Sequence, residues 1–302
     1  MENVLQFRET YDQKPHPYDN EPTVSITPVM IEGVNCYWFT PEDPSPDRII
    51  IFMHGGGFAA GSIKTHGKMV SHFAKELQAK MLFVEYALAP ENPFPAGQND
   101  LLTVYRELTN RYPGYQIDLI GDSAGASLII SAVGEMPKVH LPLPDAVVLI
   151  SPWVSLECDY PSMEGNAPID QSINKGMLQL FAQAYTGEVP LEVSSPKKAA
   201  LTQFPPVLIM VGTNEVLLDD SKYFYNDIKR IQDKSRLSIY EDQPHVWTKK
   251  DVTKDASRRA LAEIAAFIGA SPVFVDRSGI VAPEHHTTAS PRRRHRTTTA
   301  PH

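Results

Sequence analysis

The segment LIGDSAGASL, residues 119–128, places one serine between two glycines directly behind a short apolar run. Gly121 and Gly125 each lie two residues from Ser123, where a strand is expected to pass into a helix. A nucleophile needs such neighbours, because a side chain held out on a very sharp turn leaves no room for bulky residues beside it. A plain tight turn would explain the glycines as well, so this segment alone leaves both interpretations open.

Short apolar runs elsewhere in the chain predict the strands of a sheet. They are continuous rather than alternating, which is typical of strands covered on both faces. The predicted strands are 49–53, 81–86, 117–120, 146–150, 207–211 and 237–240. Segments with helical periodicity separate them, and this alternation predicts an α/β fold with a mostly parallel, doubly wound sheet and helices on both faces. Residues 23–39 predict a hairpin that turns at Glu32-Gly33 and adds antiparallel strands at one edge.

Composition limits the class of protein. The chain has 302 residues, of which 42% are hydrophobic, and this is enough for the core of one large α/β domain. No apolar run reaches the roughly 18 to 20 residues that span a bilayer, and the opening MENVLQFRETYDQK lacks the apolar stretch of a secretory signal. We therefore expect a soluble, cytoplasmic protein in which Cys36 and Cys158 are reduced.

The charge of the chain argues against two classes of partner. A formal net charge of -8 does not favour binding to nucleic acid or to an anionic membrane. The exception is the basic cluster RRRHR at 292–296, which lies in a tail over 278–302 that is rich in Thr, Pro, His and Arg. This tail has no apolar periodicity, so we predict that it is disordered and solvated rather than a binding site.

Unusual chemistry follows four of the predicted strands. HGGGF stands at 54–58, GDSAG at 121–125, GTNEVLLDD at 212–220 and EDQPHVW at 241–247. Ligands of open parallel sheets bind beyond the carboxyl ends of the strands. The four segments are therefore expected to meet at one rim of the sheet.

Three residues in these segments have the types and the order of a catalytic triad. A serine hydroxyl is a poor nucleophile at neutral pH and needs a base within hydrogen-bond reach, which an acid in turn orients. Ser123, Glu215 and His245 follow the order nucleophile, acid, histidine of the α/β-hydrolase arrangement. Of the ten histidines, His245 alone follows the acid within the part of the chain expected to fold. A structural role is the usual explanation of a single histidine, but this position and order favour catalysis.

The acid of the triad has more than one candidate. Glu215, Asp219 and Asp220 all follow the predicted strand 207–211. The two aspartates have another explanation, because carboxylates in the first turn of a helix are stabilised by its dipole. Glu215 has no such explanation, so we rank Glu215 first and Asp219 second.

The glycine-rich segment at 54–58 predicts a site for the negative charge that develops on the substrate oxygen during acyl transfer. Preorganised backbone N–H groups are the usual stabiliser of that charge. Gly56 and Gly57 present N–H groups without a side chain in the way, and Ala124 directly follows the nucleophile. We therefore predict an oxyanion hole formed by Gly56, Gly57 and Ala124.

Taken together, these motifs resemble those of the hormone-sensitive-lipase family of α/β-hydrolase carboxylesterases. The resemblance runs from about residue 48 to 268 and rests on HGGGF at 54–58, YALAPENPFPA at 86–96, GDSAG at 121–125 and SPW at 151–153. It implies the α/β-hydrolase fold and gives each candidate a role. Ser123 is the nucleophile, His245 the general base, Glu215 its acid partner, and Gly56, Gly57 and Ala124 form the oxyanion hole, while His54 and Asp122 brace loops.

The chain departs from the family pattern in two ways. The family usually has aspartate where Glu215 stands, and it commonly has an N-terminal helical cap, whereas only about twenty residues precede the first strand here. We expect a small helical cap that residues 1–22 could join, with 154–195 as a lid insertion in a catalytic domain over 23–270. Within that insertion, a stripe at helical spacing fits a lid and plain core packing equally well: Ile173, Met177, Leu180, Phe181 and Ala184.

Other interpretations fit parts of the pattern. Residues 55–60 match the G-x-G-x-x-A of a dinucleotide fold and Glu85 ends the next strand, but Gly61-Ser62 separate the glycines from the helix. Non-catalytic receptors that resemble this family typically lack the histidine, and His245 is present. An amidase or deacetylase acting on small acylated amines would use the same residues and stays an alternative. Metal catalysis is disfavoured because neither H-E-x-x-H nor a C-x-x-C pair occurs.

The sequence thus predicts a serine carboxylesterase that hydrolyses small to medium acyl esters through an acyl-enzyme intermediate, with no cofactor and no metal. Its expected partner is a small-molecule acyl ester, with neither nucleic acid nor membrane. Assembly as a homodimer is left open.

Overall fold

The structure is a computed structural model that describes residues 2–199 and 201–269. One sheet organises this part of the chain. Its eight strands are β1 (Val24–Ile31), β2 (Val34–Pro41), β3 (Arg48–Met53), β4 (Lys80–Glu85), β5 (Gln116–Asp122), β6 (Val147–Ile150), β7 (Val207–Gly212) and β8 (Arg236–Tyr240). Across the sheet their order is β1-β2-β4-β3-β5-β6-β7-β8. Antiparallel pairing is confined to β1 with β2 and β2 with β4, and the other neighbours are parallel.

The hairpin at the edge of the sheet turns where the sequence predicts. Ile31 pairs with Val34, which leaves Glu32 and Gly33 as the turn. Both have positive φ, 47° and 86°. A two-residue turn with positive φ at both positions matches the twist of the flanking strands.

Helices cover both faces of the sheet. The structure describes α1 (Glu2–Asp12), α2 (Ile63–Glu76), α3 (Ala96–Arg111), α4 (Ala124–Glu135), α5 (Ser162–Gly165), α6 (Lys175–Thr186), α7 (Leu191–Ser194), α8 (Leu218–Ile228), α9 (Trp247–Lys250) and α10 (Asp255–Ile268), with two short 3-10 turns at Met136–Val139 and Pro196–Lys198. Along β3, Ile49 and Ile51 pack with α3, α4, α6 and α8, whereas Ile50 and Phe52 pack with α2 and α10. Burial on both faces explains the continuous apolar runs, and the predicted fold class is confirmed.

The strand ends differ from the predicted ones by one or two residues. β4 ends at Glu85, and the next residue, Tyr86, turns its hydroxyl to the carbonyl of His54 over 2.8 Å. The apolar run of β5 ends at Ile120, but the strand continues through Asp122, which still pairs with Ile150 of β6. Backbone pairing rather than side-chain hydrophobicity therefore sets these ends.

Three further expectations concern the state of the cysteines, the absence of a membrane-spanning segment and the tail. Cys36 and Cys158 are buried free thiols. Among the described helices, none has both the length and the apolar character needed to cross a bilayer. The tail predicted to be disordered, 278–302, lies outside the described residues, as does residue 270 at the end of the predicted catalytic domain.

Candidate active site

The four segments with unusual chemistry meet at one rim of the sheet. They follow β3, β5, β7 and β8, which are parallel and share the same carboxyl edge. One cavity of about 380 Å³ at this rim is lined by Gly56 and Gly57 from the first segment, Ser123 from the second and His245 from the fourth. The sheet topology thus brings together residues that are far apart in the sequence.

Ser123 occupies a strained turn between β5 and α4. Its φ and ψ are 51° and -119°, and its N–H donates to the carbonyl of Ile150 over 2.9 Å. A Cβ on Gly125 would overlap the carbonyl of Met53, and one on Gly121 would lie 2.8 Å from Ile129. Glycine is therefore required on both sides of Ser123, because α4 packs directly against the strands while the serine side chain projects from the rim.

Ser123, His245 and Glu215 form a continuous hydrogen-bonded chain. Nε2 of His245 lies 3.0 Å from Oγ of Ser123, and Nδ1 lies 2.8 Å from Oε2 of Glu215. With the proton on Nδ1 directed at the carboxylate, Nε2 can accept the serine proton. The exposed fractions are 7% for Ser123, 9% for His245 and 0% for Glu215, so the carboxylate is fully shielded from water while the serine and the histidine keep slight access to it.

The two aspartates that were the other acid candidates serve different contacts. Asp219 accepts a hydrogen bond from the N–H of Ser162, and Asp220 accepts from the N–H groups of Val154 and Ser155, all over 2.8 Å. Both stand in the first turn of α8, as the helix-dipole explanation requires. Of the three acids, Glu215 is the one in contact with His245.

Ser151 supports the acid and received no role from the sequence. Its hydroxyl donates to Oε1 of Glu215 over 2.8 Å and accepts from the N–H of Val246 over 3.1 Å. The N–H of Gly212 donates to the same Oε1 over 2.6 Å. These contacts fix the carboxylate while its other oxygen holds the imidazole. The signal available in the sequence was SPW at 151–153, directly after β6.

The glycine loop has a backbone conformation that favours glycine, and two of its N–H groups are unpaired within the described part of the chain. Gly56 and Gly57 have φ of 125° and 63°, a region that side chains other than glycine rarely adopt. Within residues 2–199 and 201–269, the N–H groups of Gly56, Gly57 and Ala124 donate to no protein acceptor. They are therefore free to donate to a substrate oxygen.

His54 is fully buried next to the glycine loop, and Asp122 directly precedes the nucleophile and lines the cavity. Nδ1 of His54 donates to the carbonyl of Gly55 over 2.8 Å, and its ring stacks on Tyr86 with 4.2 Å between centroids. Burial lowers the pKa of His54 to about 3, so the ring stays neutral. Asp122 is 1% exposed, with Oδ2 3.4 Å from Nε2 of His66. Their role in bracing the loops stays a prediction.

Two helices form the apolar wall of the cavity. Phe7 and Tyr11 come from α1, and Met177 and Phe181 from α6. The rings of Phe7 and Phe181 meet edge to face with 5.1 Å between centroids. Of the stripe that the sequence assigns equally to a lid or to the core, Phe181 lines the cavity and is also 2% exposed and packed in the core, while the lid itself stays a prediction.

Sequence reasoning missed the polar residues of the cavity wall. Tyr11, Lys14, Lys249 and Lys250 all line it. Tyr11 stands 238 positions from Lys249, so no local spacing links them, and neighbouring lysines are ordinarily a solvated face. Over the described residues, no group of His, Cys, Asp and Glu side chains is arranged to hold a metal ion.

Comparison with known proteins places the chain among hydrolases. A family described as having the alpha/beta hydrolase fold matches residues 50–249. An acetyl-hydrolase of Streptomyces hygroscopicus is 30% identical over 264 residues, which cover 86% of this chain and 88% of that protein. An esterase of Acinetobacter venetianus is 28% identical over 266 residues, or 86% and 87% of the two chains.

Solved structures agree with these relatives. An esterase from the bacterial hormone-sensitive lipase family superposes with a TM-score of 0.82 at 32% identity, covering 88% of this chain and 90% of that chain. The structure of EstE5 soaked with p-nitrophenyl butyrate gives a TM-score of 0.82 at 30% identity with the same coverage.

Proposed function

Because this chain belongs to the hormone-sensitive-lipase family of hydrolases with the α/β-hydrolase fold, we propose that it hydrolyses small to medium carboxylic esters through a Ser-His-Glu triad. The observation that carries the proposal is the hydrogen-bonded chain from Ser123 through His245 to Glu215 at an open cavity. Family membership makes the chain a carboxylic ester hydrolase.

The reaction begins with attack of Ser123 Oγ on the ester carbonyl while Nε2 of His245 takes the hydroxyl proton. The carbonyl oxygen becomes negative and accepts hydrogen bonds from the N–H groups of Gly56, Gly57 and Ala124. Glu215 stabilises the imidazolium, which then protonates the leaving alcohol as the carbon–oxygen bond breaks. The acyl group is left on Ser123.

Release of the acyl group repeats the sequence with water. His245 takes a proton from a water molecule, whose oxygen attacks the acyl carbon, and the proton then returns to Ser123 as the carboxylic acid leaves. No redox step or cofactor enters this balance. The cavity of about 380 Å³ supports an acyl ester of small to medium size.

The test is hydrolysis of p-nitrophenyl esters from acetyl to palmitoyl by the wild type and by Ser123→Ala. We expect turnover with a maximum at short or medium chain length and a loss of about 10⁴-fold or more in kcat in the variant, whose fold is kept. Retained turnover in Ser123→Ala would overturn the assignment of the nucleophile. Faster cleavage of p-nitroacetanilide than of p-nitrophenyl acetate would favour the amidase alternative.

The partner, assembly and location expected from the sequence also remain proposals. We propose a small acyl ester as the partner, with neither nucleic acid nor a membrane taking part, and a cytoplasmic location. Size-exclusion chromatography with light scattering would decide between a monomer and the homodimer that the sequence leaves open.

A further inference from the structure

One wall of the cavity carries polar groups that the proposed reaction does not use. Lys249, on α9, and Tyr11, on α1, line the same cavity as Ser123 and His245. Nζ of Lys249 donates to the Tyr11 hydroxyl over 2.9 Å and lies 4.4 Å from the centre of the Tyr11 ring. A lysine and a phenol thus form a joined pair in the cavity that also contains the nucleophile.

This pair has hydrogen-bond donors left over. An ammonium group carries three N–H donors and a phenol one O–H donor. In the described part of the chain, the Tyr11 hydroxyl is the one hydrogen-bond acceptor of Nζ of Lys249, and the hydroxyl itself donates to no acceptor. Both side chains are half-buried, so their unused donors point to the pair being suited to a ligand that supplies acceptors.

The cavity lining is positive although the chain is negative. Among the described residues, Lys14, Lys249 and Lys250 line it against one acid, Asp122, while the formal net charge of the chain is -8. Glu215 lies behind His245, to which it is hydrogen-bonded. Lysines concentrated at a cavity on an acidic protein raise the local concentration of anions there.

We propose that the natural ester carries a carboxylate, which Lys249 and Tyr11 bind while Ser123 attacks the ester carbonyl. The inference rests on the proposed function, since it names the substrate class of the same site. One carboxylate oxygen accepts from Nζ of Lys249 and the other from the Tyr11 hydroxyl, which are charge-assisted hydrogen bonds. Lys14 and Lys250, both exposed, add positive charge to the cavity lining.

A purely structural role for Lys249 would make it the counter-ion of Asp122. The distances do not fit that role. An ion pair requires 4.0 Å or less between nitrogen and oxygen, and among the described residues no carboxylate oxygen lies that close to Nζ of Lys249. Oδ2 of Asp122 instead faces Nε2 of His66 at 3.4 Å. Burial lowers the pKa of Lys249, and the charge of Asp122 opposes that shift. A bound carboxylate acts in the same direction as Asp122, so ligand binding favours the charged lysine.

The test uses two pairs of esters that differ only in a carboxylate. 4-Acetoxybenzoate and 4-acetoxybenzamide place the group on the leaving alcohol, and mono-p-nitrophenyl adipate and its terminal amide place it on the acyl chain. We expect the wild type to prefer one acid over its amide by about tenfold or more in kcat/KM, mainly through KM. The pair that shows the preference identifies the side that carries the carboxylate.

Variants test whether the preference for the acid over its amide comes from Lys249 and Tyr11. Lys249→Met should remove it, and Tyr11→Phe, which keeps the ring, should reduce it severalfold. Lys229→Met is the matched control, since Lys229 is an exposed lysine outside the cavity and its loss should leave the preference intact. Thermal unfolding of each variant checks that the fold is kept.

Two results would overturn the inference: neither acid is preferred over its amide, or the preference survives in Lys249→Met. Failure of the proposed function is distinguishable, because the wild type would then not hydrolyse p-nitrophenyl acetate either. Calorimetry on Ser123→Ala keeps the inference testable in that case. Tighter binding of one acid than of its amide, lost when Lys249→Met is added, would support it, and equal binding would refute it.

Discussion

At the scale of single residues, the choice of acid decides how His245 is oriented. Glu215→Gln keeps an oxygen for Gly212 and Ser151 but places an amide N–H₂ group against Nδ1 of His245. The imidazole would then carry its proton on Nε2 and could not accept the serine proton. We expect kcat to fall by about 10³- to 10⁴-fold, measured with p-nitrophenyl acetate.

Asp219→Asn is the control for that prediction. Asp219 contacts Ser162 and Lys222 and does not touch His245. We expect its kcat to stay within a few-fold of the wild type. If Asp219→Asn loses activity while Glu215→Gln keeps it, the second-ranked acid of the sequence analysis is the catalytic one.

Gly57 tests the glycine loop at the same scale. An added Cβ would overlap the ring of Phe181, whereas a Cβ on Gly114 meets nothing within 4 Å. Both glycines have positive φ, 63° and 86°, so alanine is strained at either position and only the clash differs. We expect Gly57→Ala to lower kcat/KM for p-nitrophenyl acetate by about 10²-fold or more and Gly114→Ala to keep it. Equal activity of the two variants would show that the loop does not hold the donors.

At the scale of elements, Arg8 attaches α1 to the rim. Its Nε donates to the carbonyl of Ala59 and its Nη2 to that of Ala89, both over 2.6 Å, and the guanidinium also pairs with Glu91 at 2.8 Å. These contacts hold the helix that supplies Phe7 and Tyr11 to the cavity wall. A planar guanidinium suits two carbonyls and a carboxylate at once.

Arg8→Met should therefore loosen one wall without touching the triad. We expect a severalfold increase in KM for p-nitrophenyl butyrate, a smaller change in kcat and a Tm lower by a few degrees. Arg111→Met is the matched control variant. Arg111 forms an exposed ion pair with Glu107 on α3, and such pairs contribute little to the free energy of unfolding. An unchanged KM in Arg8→Met would show that α1 does not shape the bound substrate.

The elements themselves were predictable to different degrees. The strands carry dense apolar runs because both faces of the sheet are covered. The sequence therefore predicts the ends of the strands to within one or two residues. The sequence indicates only that residues 1–22 could join a small helical cap and does not give the bounds of α1, since Val4 is its one buried residue and its partners, Phe181 and Lys249, lie far along the chain. A helix that binds the fold mainly through Arg8 and one face of aromatic rings leaves little periodicity to detect.

At the scale of the whole molecule, the position of the site follows from topology more than from any motif. Parallel strands place the loops after β3, β5, β7 and β8 on one edge of the sheet. The sequence was therefore enough to predict that Ser123, Glu215 and His245 lie close together. The shape and charge of the cavity could not be predicted, because they come from α1, α6 and α9 meeting above that edge. Contacts between such distant segments cannot be predicted from local composition.

The pH dependence of stability is a property of the whole molecule to which Asp220 contributes strongly. Its carboxyl is 1% exposed, and Oδ2 has no hydrogen-bond partner in the described residues. Burial raises the pKa of Asp220 from 3.8 to about 7, although the N–H groups of Ser155 and Val154 oppose the shift. Between those two values the folded protein holds a proton that the unfolded chain has released. The free energy of unfolding therefore falls as the pH rises from about 4 to about 7.

Asp220→Asn should remove this contribution while keeping an oxygen for Val154 and Ser155. We expect the wild type and the variant to be of similar stability near pH 4 and the variant to be more stable at pH 8, by on the order of 2 to 4 kcal/mol. Urea denaturation at several pH values measures the difference, which isolates Asp220 from other groups that titrate in the same range. Asp227→Asn, at an exposed position of the same helix, should follow the wild-type curve. If the Asp220→Asn curve also runs parallel to that of the wild type, the buried carboxyl is ionised throughout and α8 bears its charge without loss of stability.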